Sequence, residues 1–205
     1  MPQIIKDSLN NSIDYSDYKR LMQKMVKDKF TTGNSVTEAN INYTMLNERR
    51  MRRWDKKLEP SEHDKAKINR FDTKVIWLVI TESWCGDAAH LLPVMNKIAE
   101  LNSNIELRMV LRDDNEELMN RFLSNGSKSI PKLIMLDAET LEVLEEYGPR
   151  PSVAAKMVDD YNKEHGTLTP EFKEDLQRWY NKDKGKTTLE DLSKLLEKHT
   201  TSISL

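Results

Sequence analysis

Cys85 is the sole cysteine of this 205-residue chain, and it stands in the run Trp84-Cys85-Gly86-Asp87-Ala88. Upstream, Val75 to Ile80 is a continuous apolar stretch rich in β-branched residues, which predicts a strand covered on both faces. The polar Thr81, Glu82 and Ser83 end that stretch, and Ala88, Ala89, Leu91 and Leu92 open a helical pattern. A sulfur at a strand-to-helix junction meets the unsatisfied N–H groups of the first helical turn and the positive end of the helix dipole. Both favour an anion, so the position predicts a thiol pKa below the free value of ~8.5. Asp87 opposes this by placing a like charge beside the thiolate. A thiolate held there attacks disulfides. The competing interpretation is an inert cysteine packed as a small hydrophobe, and its place in Trp-Cys-Gly at a helix start weighs against that.

Ser129-Ile130-Pro131-Lys132-Leu133-Ile134 supplies a second signal, a proline after an apolar residue and before a strand-like run. The two stretches together resemble the active site of the thioredoxin family. In that family a hydrophobic strand leads to Trp-Cys-Gly-x-x and a helix carrying a proline, here Pro93, and a later proline with a cis peptide bond faces the cysteine. The resemblance covers roughly residues 73–165. It implies an α/β fold, a three-layer sandwich in which a four-stranded mixed sheet carries helices on both faces. It also implies Cys85 as the nucleophile, bordered by Trp84, Gly86, Asp87, Ala88, Ile130 and Pro131, with no cofactor. Trp84 would shield one side of the sulfur, Gly86 would allow close backbone approach, and Ile130 would offer backbone groups to an extended substrate segment.

Three departures from the family pattern shape the expected chemistry. The second cysteine, three residues after the first, is Ala88 here; the buried acid expected six residues before Cys85 is Val79; and apolar Met109 and Val110 stand where a lysine is expected. Arg112, at the end of that strand, is the candidate for electrostatic support. A lone Cys85 can form a mixed disulfide but cannot release itself, so an external thiol must resolve it. The expected partner is therefore a protein or a low-molecular-weight thiol or disulfide. The alternative is a thioredoxin fold kept as a redox-inactive interaction module, since fold alone does not settle function.

The elements that must position these residues follow from periodicity. Asp14 to Phe30 carries Tyr18, Leu21, Met22, Met25 and Val26 at helical spacing, with Asp14 or Ser16 as cap. Thr37 to Leu58 predicts a second helix with Tyr43, Leu46, Met51, Trp54 and Leu58 on one broad face, and Ser61 can cap a short third. After the strand at Val75 come a helix to Leu101, an alternating strand from Ile105 to Leu111, and a helix capped by Asp113-Asp114-Asn115. A strand then runs from Leu133 to Leu136 and another from Leu141 to Tyr147, followed by a helix that Gly166 stops. Pro170 starts a further helix with Phe172, Leu176, Trp179 and Tyr180 on its apolar face. Thr187 with Glu190 suggests a capping box for the last helix, and the tail from Thr200 is expected to fray. The expected division is a helical extension over 1–72, a thioredoxin-like domain over 73–165 and a second extension over 166–205. The extensions cannot bury their apolar faces alone, so they must pack on the core or on a partner. They resemble thioredoxin-like proteins of bacteria.

Composition excludes several classes. Thirty-two basic against 34 acidic residues give a net charge of −2, which provides no general attraction to nucleic acid or an anionic membrane, and neither is expected as a partner. No apolar run approaches bilayer-spanning length, and residues 1–7 lack the basic start and apolar core of a secretory signal. A single cysteine permits no internal disulfide, which suits a reducing cytoplasm. Oligomeric state is left open. His63, His90, His165 and His199 lack metal-ligand spacing, and His90 is not expected to share the helix face of Cys85. The cluster from Glu48 to Lys57 holds four arginines but is interrupted by acids, so a solvated helix face with i,i+4 pairs is expected there. Gly148-Pro149-Arg150-Pro151 is either a basic rim of the site or a stiff turn into the next helix.

Overall fold

The computed structural model describes residues 2–201. Four helices come first: α1 (Pro2–Asn10), α2 (Tyr15–Asp28), α3 (Glu38–Lys57) and α4 (Glu62–Asn69). The core follows as β1 (Val75–Thr81), α5 (Ala88–Leu101), β2 (Ile105–Leu111), α6 (Glu116–Arg121), β3 (Lys132–Asp137), β4 (Val143–Tyr147) and α7 (Ser152–His165). Two helices close the described chain, α8 (Pro170–Asp183) and α9 (Lys186–Glu197). The sheet order is β2-β1-β3-β4, with β1 parallel to β2 and antiparallel to β3, and β3 antiparallel to β4. This is the mixed four-stranded α/β fold expected from the sequence, with additional helices around it.

β1 is central and covered on both faces, so Trp77, Leu78, Val79 and Ile80 are fully buried. That is why its sequence is apolar without alternation. The flanking helices do not stand apart from this core. Ile5, Tyr18, Met22, Met51, Phe172, Leu176, Leu189 and Leu192 belong to the same continuous hydrophobic cluster as β1 and α5. α2 packs on β2 and α3, α3 on α5, and α9 on α4, α5 and α7. Among the described residues no helix is long and apolar enough to cross a membrane.

Several local expectations need correction. α1 was not anticipated; it buries Ile5 and packs on α6 and β2. On α3, Tyr43 and Leu46 point outward, while Thr44 and Asn47 are buried with Met51 and Trp54. The reason is a polar demand: the run Thr81-Glu82-Ser83 is fully buried rather than a solvated end, and its groups need partners. Asn47 Nδ2 donates to the Ser83 carbonyl at 2.9 Å, and the Thr44 hydroxyl lies 2.8 Å from the Ser83 hydroxyl. Of Asp113-Asp114-Asn115, Asn115 takes the N-cap position of α6 without a side-chain cap bond, while Asp113 accepts the Asn34 N–H at 2.7 Å, tying the α2–α3 loop to the end of β2. β4 begins at Val143, because Leu141 takes a left-handed turn conformation, φ 60°. The Thr187–Glu190 capping box is absent: α9 already starts at Lys186, and the Thr187 N–H donates to the Asp183 carboxylate. Thr201 N–H donates to Asp72 at 2.9 Å, so the tail is still tethered there; the rest of the expected fraying lies outside the described residues.

Candidate functional site around Cys85

Cys85 lies between the end of β1 and the first turn of α5, with its N–H donating to the Glu82 carbonyl at 3.1 Å. Its Sγ donates to the Ile130 carbonyl at 3.2 Å and receives the Ala88 N–H at 3.5 Å. The Ile130–Pro131 peptide bond is cis, as is Gly148–Pro149. The two prolyl turns touch. A Cβ on Gly148, at φ +109°, would sit 2.3 Å from the Pro131 carbonyl oxygen, so only glycine permits this approach. The structure thus places the Ala88 N–H and the Ile130 carbonyl, the latter just before the cis bond to Pro131, at the sulfur.

The thiol's ionisation runs opposite to expectation. Cys85 is only 7% exposed. Burial pushes its pKa up from an ordinary 9.0 to about 12, and the Asp87 carboxylate pushes the same way. The Ala88 and Asp87 N–H groups and Arg150 pull it down, but desolvation of the anion outweighs them. The cysteine is therefore a protonated thiol at neutral pH, rather than the acidic one that the helix start suggested.

Asp87 is the polar centre of the site. It occupies the N-cap position of α5, yet its carboxylate makes no capping bond. It is instead held from two sides. Arg150 Nε approaches Oδ2 at 3.0 Å, and the Tyr180 hydroxyl donates to Oδ1 at 2.8 Å. Burial raises the Asp87 pKa, and these two partners oppose that rise. Arg150 comes from the turn into α7 and Tyr180 from α8, so the rim residue and the C-terminal extension meet on one carboxylate. Arg112 does not reach the sulfur. Its guanidinium lies over the Trp84 ring, 4.9 Å from the centroid, and its Nε bonds Asp113 at 2.8 Å. Trp84 is half-buried beneath it. The cation acting on the thiol is Arg150.

A second buried chain runs beside the first. Trp54 Nε1–H donates to His90 Nδ1 at 2.9 Å, which leaves the proton on Nε2 to bond Gln177 Oε1 at 2.8 Å. The His90 ring stacks on Tyr180 at 4.2 Å. Burial lowers the His90 pKa to about 4, so the imidazole is neutral. His90 is thus linked to Asp87 through Tyr180. Gly86 faces outward between Arg50 of α3 and Gln177 of α8; a Cβ there would lie 3.6 Å from the Arg50 guanidinium. On the opposite side the buried Glu82 carboxylate accepts from the Thr32 hydroxyl and from Asp113 N–H. Surface cavities of about 350, 600 and 360 Å³ lie away from the sulfur, two along α2 and one between α1 and α6. Among the described residues no cluster of His, Cys, Asp or Glu is arranged to hold a metal.

Sequence reasoning did not connect Glu82, Arg50, Gln177 or Tyr180 to the site. One available signal was tyrosine itself: a buried Tyr at a helix face needs an acceptor for its hydroxyl, and Asp87 was the nearest unexplained carboxylate in the motif.

A solved structure of a protein of unknown function from Pseudomonas aeruginosa superposes with a TM-score of 0.60 at 19% identity, over 75% of this chain and 85% of that one. An HIV epitope-scaffold superposes with a TM-score of 0.57 at 17% identity, over 91% of this chain and 99% of that one. Identities this low establish likeness of fold alone. No curated protein matches the sequence significantly. The thioredoxin family model matches residues 33–162, more than half of the chain, including the Cys85 loop and the Ile130–Pro131 turn. The chain belongs to the thioredoxin family.

Proposed function

We propose that the protein carries out monothiol thiol–disulfide exchange through Cys85 in a reducing compartment such as the cytoplasm. The observation that carries this reading is the setting of the sulfur between the Ala88 N–H and the Ile130 carbonyl. The N–H can stabilise a thiolate, and the carbonyl belongs to a backbone segment able to meet an extended substrate. In the first step the Cys85 thiol loses its proton to solvent, and the thiolate attacks a substrate disulfide RS–SR′. A Cys85–S–S–R bond forms, the RS–SR′ bond breaks, and R′S⁻ leaves. With one cysteine in the chain, a second, external thiol must attack the mixed disulfide and regenerate Cys85. The high thiol pKa makes this a slow exchanger that acts on disulfides presented directly to the loop.

The test is incubation of the reduced, folded protein with excess hydroxyethyl disulfide at pH 8.5, followed by intact mass. A single adduct at Cys85, released by added monothiol, is expected. A folded protein that stays unmodified over hours, while the denatured chain is modified at once, overturns the reading. That outcome favours the second one, a redox-inactive interaction module. The burial of Cys85 speaks for the module, as do exposed Phe30, Val36, Tyr43 and Leu46 near the α2–α3 connection.

A further inference from the structure

We infer that Arg50 is a specificity-determining residue for this site, selecting disulfides that carry a negative charge beside the sulfur. The inference rests on the exchange reading above and names its substrate class. Arg50 lies on the half-buried side of α3, at the Gly86 backbone next to Cys85. Its guanidinium hydrogen-bonds Asn47 Oδ1 at 3.0 Å, and among the described residues no carboxylate comes within ion-pairing distance of it. Burial disfavours its charged form, while Tyr43 and, more weakly, Asp87 support it, but Asp87 is already taken by Arg150 and Tyr180. The neighbouring charges reinforce the imbalance. Arg53 bonds the neutral Asn181 side chain at 3.0 Å, and Arg112 is committed to Asp113. Of the carboxylates at the site, Asp87 is neutralised by Arg150, and Glu82 is sealed beneath Thr32 on the far side.

A fork of guanidinium donors with free positions, held at Gly86, the residue after the reactive cysteine, is suited to a carboxylate. Tyr43 and Leu46 stand exposed on the same helix, seven and four residues before Arg50, so an apolar strip leads up to the charge. A substrate arm with apolar and then acidic groups, ending at a disulfide, fits this order. In the exchange step Cys85 displaces one half of the disulfide while the carboxylate of the retained half pairs with Arg50. The bonds made and broken are those already given, and no further reactant is needed.

The experiment compares three symmetric disulfides of similar size on the full-length reduced protein: dithiodipropionate (dianionic), hydroxyethyl disulfide (neutral) and cystamine (dicationic). Each second-order rate is divided by the rate of an unstructured cysteine peptide with the same probe, which removes leaving-group differences. The normalised rate should be about tenfold higher for the dianion than for the dication, the order one partly screened charge produces. The preference should collapse in 1 M salt, where the screening length is only about 3 Å. Arg50→Gln should reduce it to within about threefold, and Arg50→Lys should keep most of it, because the charge remains. If Arg50→Gln fails to fold, the salt dependence of the natural protein still decides. Equal normalised rates, a preference for cystamine, or a preference unchanged in Arg50→Gln refute the selectivity. Absence of adducts with all three probes refutes the exchange reading instead.

Discussion

The Asp87 carboxylate beside Cys85 makes a quantitative prediction possible. The thiol stands at about 12, so at pH 7 roughly 1 molecule in 10⁵ is thiolate, against about 3% for a free cysteine. The higher nucleophilicity of a more basic thiolate returns part of that deficit, with a Brønsted slope of about 0.4–0.5. The net rate should be on the order of 100-fold below that of a free cysteine before access is counted. Asp87→Asn keeps the side-chain size and an acceptor for the Tyr180 hydroxyl while removing the charge. An uncompensated charge at about 4 Å and an effective dielectric of 20 is worth about 4 kcal/mol. Arg150, 3.0 Å from the same carboxylate, cancels most of it. What remains should be about 1.4 kcal/mol, or roughly one pK unit. Tenfold more thiolate, each about threefold less nucleophilic, gives exchange about threefold faster in the variant. The assay is the rate of hydroxyethyl disulfide adduct formation from pH 8 to 11 for both proteins. Their ratio cancels access, which the substitution leaves in place. A variant that reacts more slowly, or a natural protein whose rate levels off below pH 9, would refute the reasoning.

The other predictions concern stability. Because the Cys85 pKa is raised on folding, its contribution is intact below about 9 and is lost as pH rises towards 12. The loss should reach about 1.4 kcal/mol by pH 10, and Cys85→Ser should flatten that alkaline slope in urea titrations. His90 has the opposite sign: its pKa is depressed to about 4, so its contribution is present above 6.5 and is lost as pH falls. Denaturation midpoints should show about 2 kcal/mol less stability at pH 5 than at pH 7.5, and a flat acid limb would contradict the neutral Trp54–His90–Gln177 chain. Gly148→Ala forces a Cβ to 2.3 Å from the Pro131 carbonyl at φ +109°. It should cost about 2–3 kcal/mol by chemical denaturation, and a neutral result would mean that the two prolyl turns do not touch.

The parts of the fold legible in the sequence were those fixed by local pattern. The unbroken apolar run of β1 reports its own burial, and Ser61 with Asp64 forms the capping box that starts α4. α3 was harder, because its buried face is partly polar. Thr44 and Asn47 face inward only because Ser83, 36 or more residues later, is buried and lacks strand partners. The same division holds at the site. Cys85 and the Ile130–Pro131 turn announce themselves by motif, but Arg50, Gln177 and Tyr180 arrive on helices distant in sequence and carry no motif of their own. The sign of the thiol's shift is not legible locally for the same reason: local geometry gives the helix start, whereas burial is decided by what packs over it.

The magnitudes explain why burial prevails at the sulfur. A helix N-terminus is worth roughly 0.3–1 kcal/mol to a nearby anion, and about 2 in favourable geometry. A rise from 9.0 to about 12 corresponds to about 4 kcal/mol against the thiolate, so desolvation and Asp87 together exceed anything the dipole supplies. Helices from both sides of the β1–α7 core contribute to the polar lining of the site. α8 places Tyr180 on Asp87 and Gln177 on His90, and α3 places Trp54 on His90 and Arg50 beside Gly86. A thioredoxin core with its helix start open to water would leave the dipole unopposed. Here burial and Asp87 outweigh it, and the side chains lining the site come from helices more than 30 positions from Cys85 as well as from its own loop.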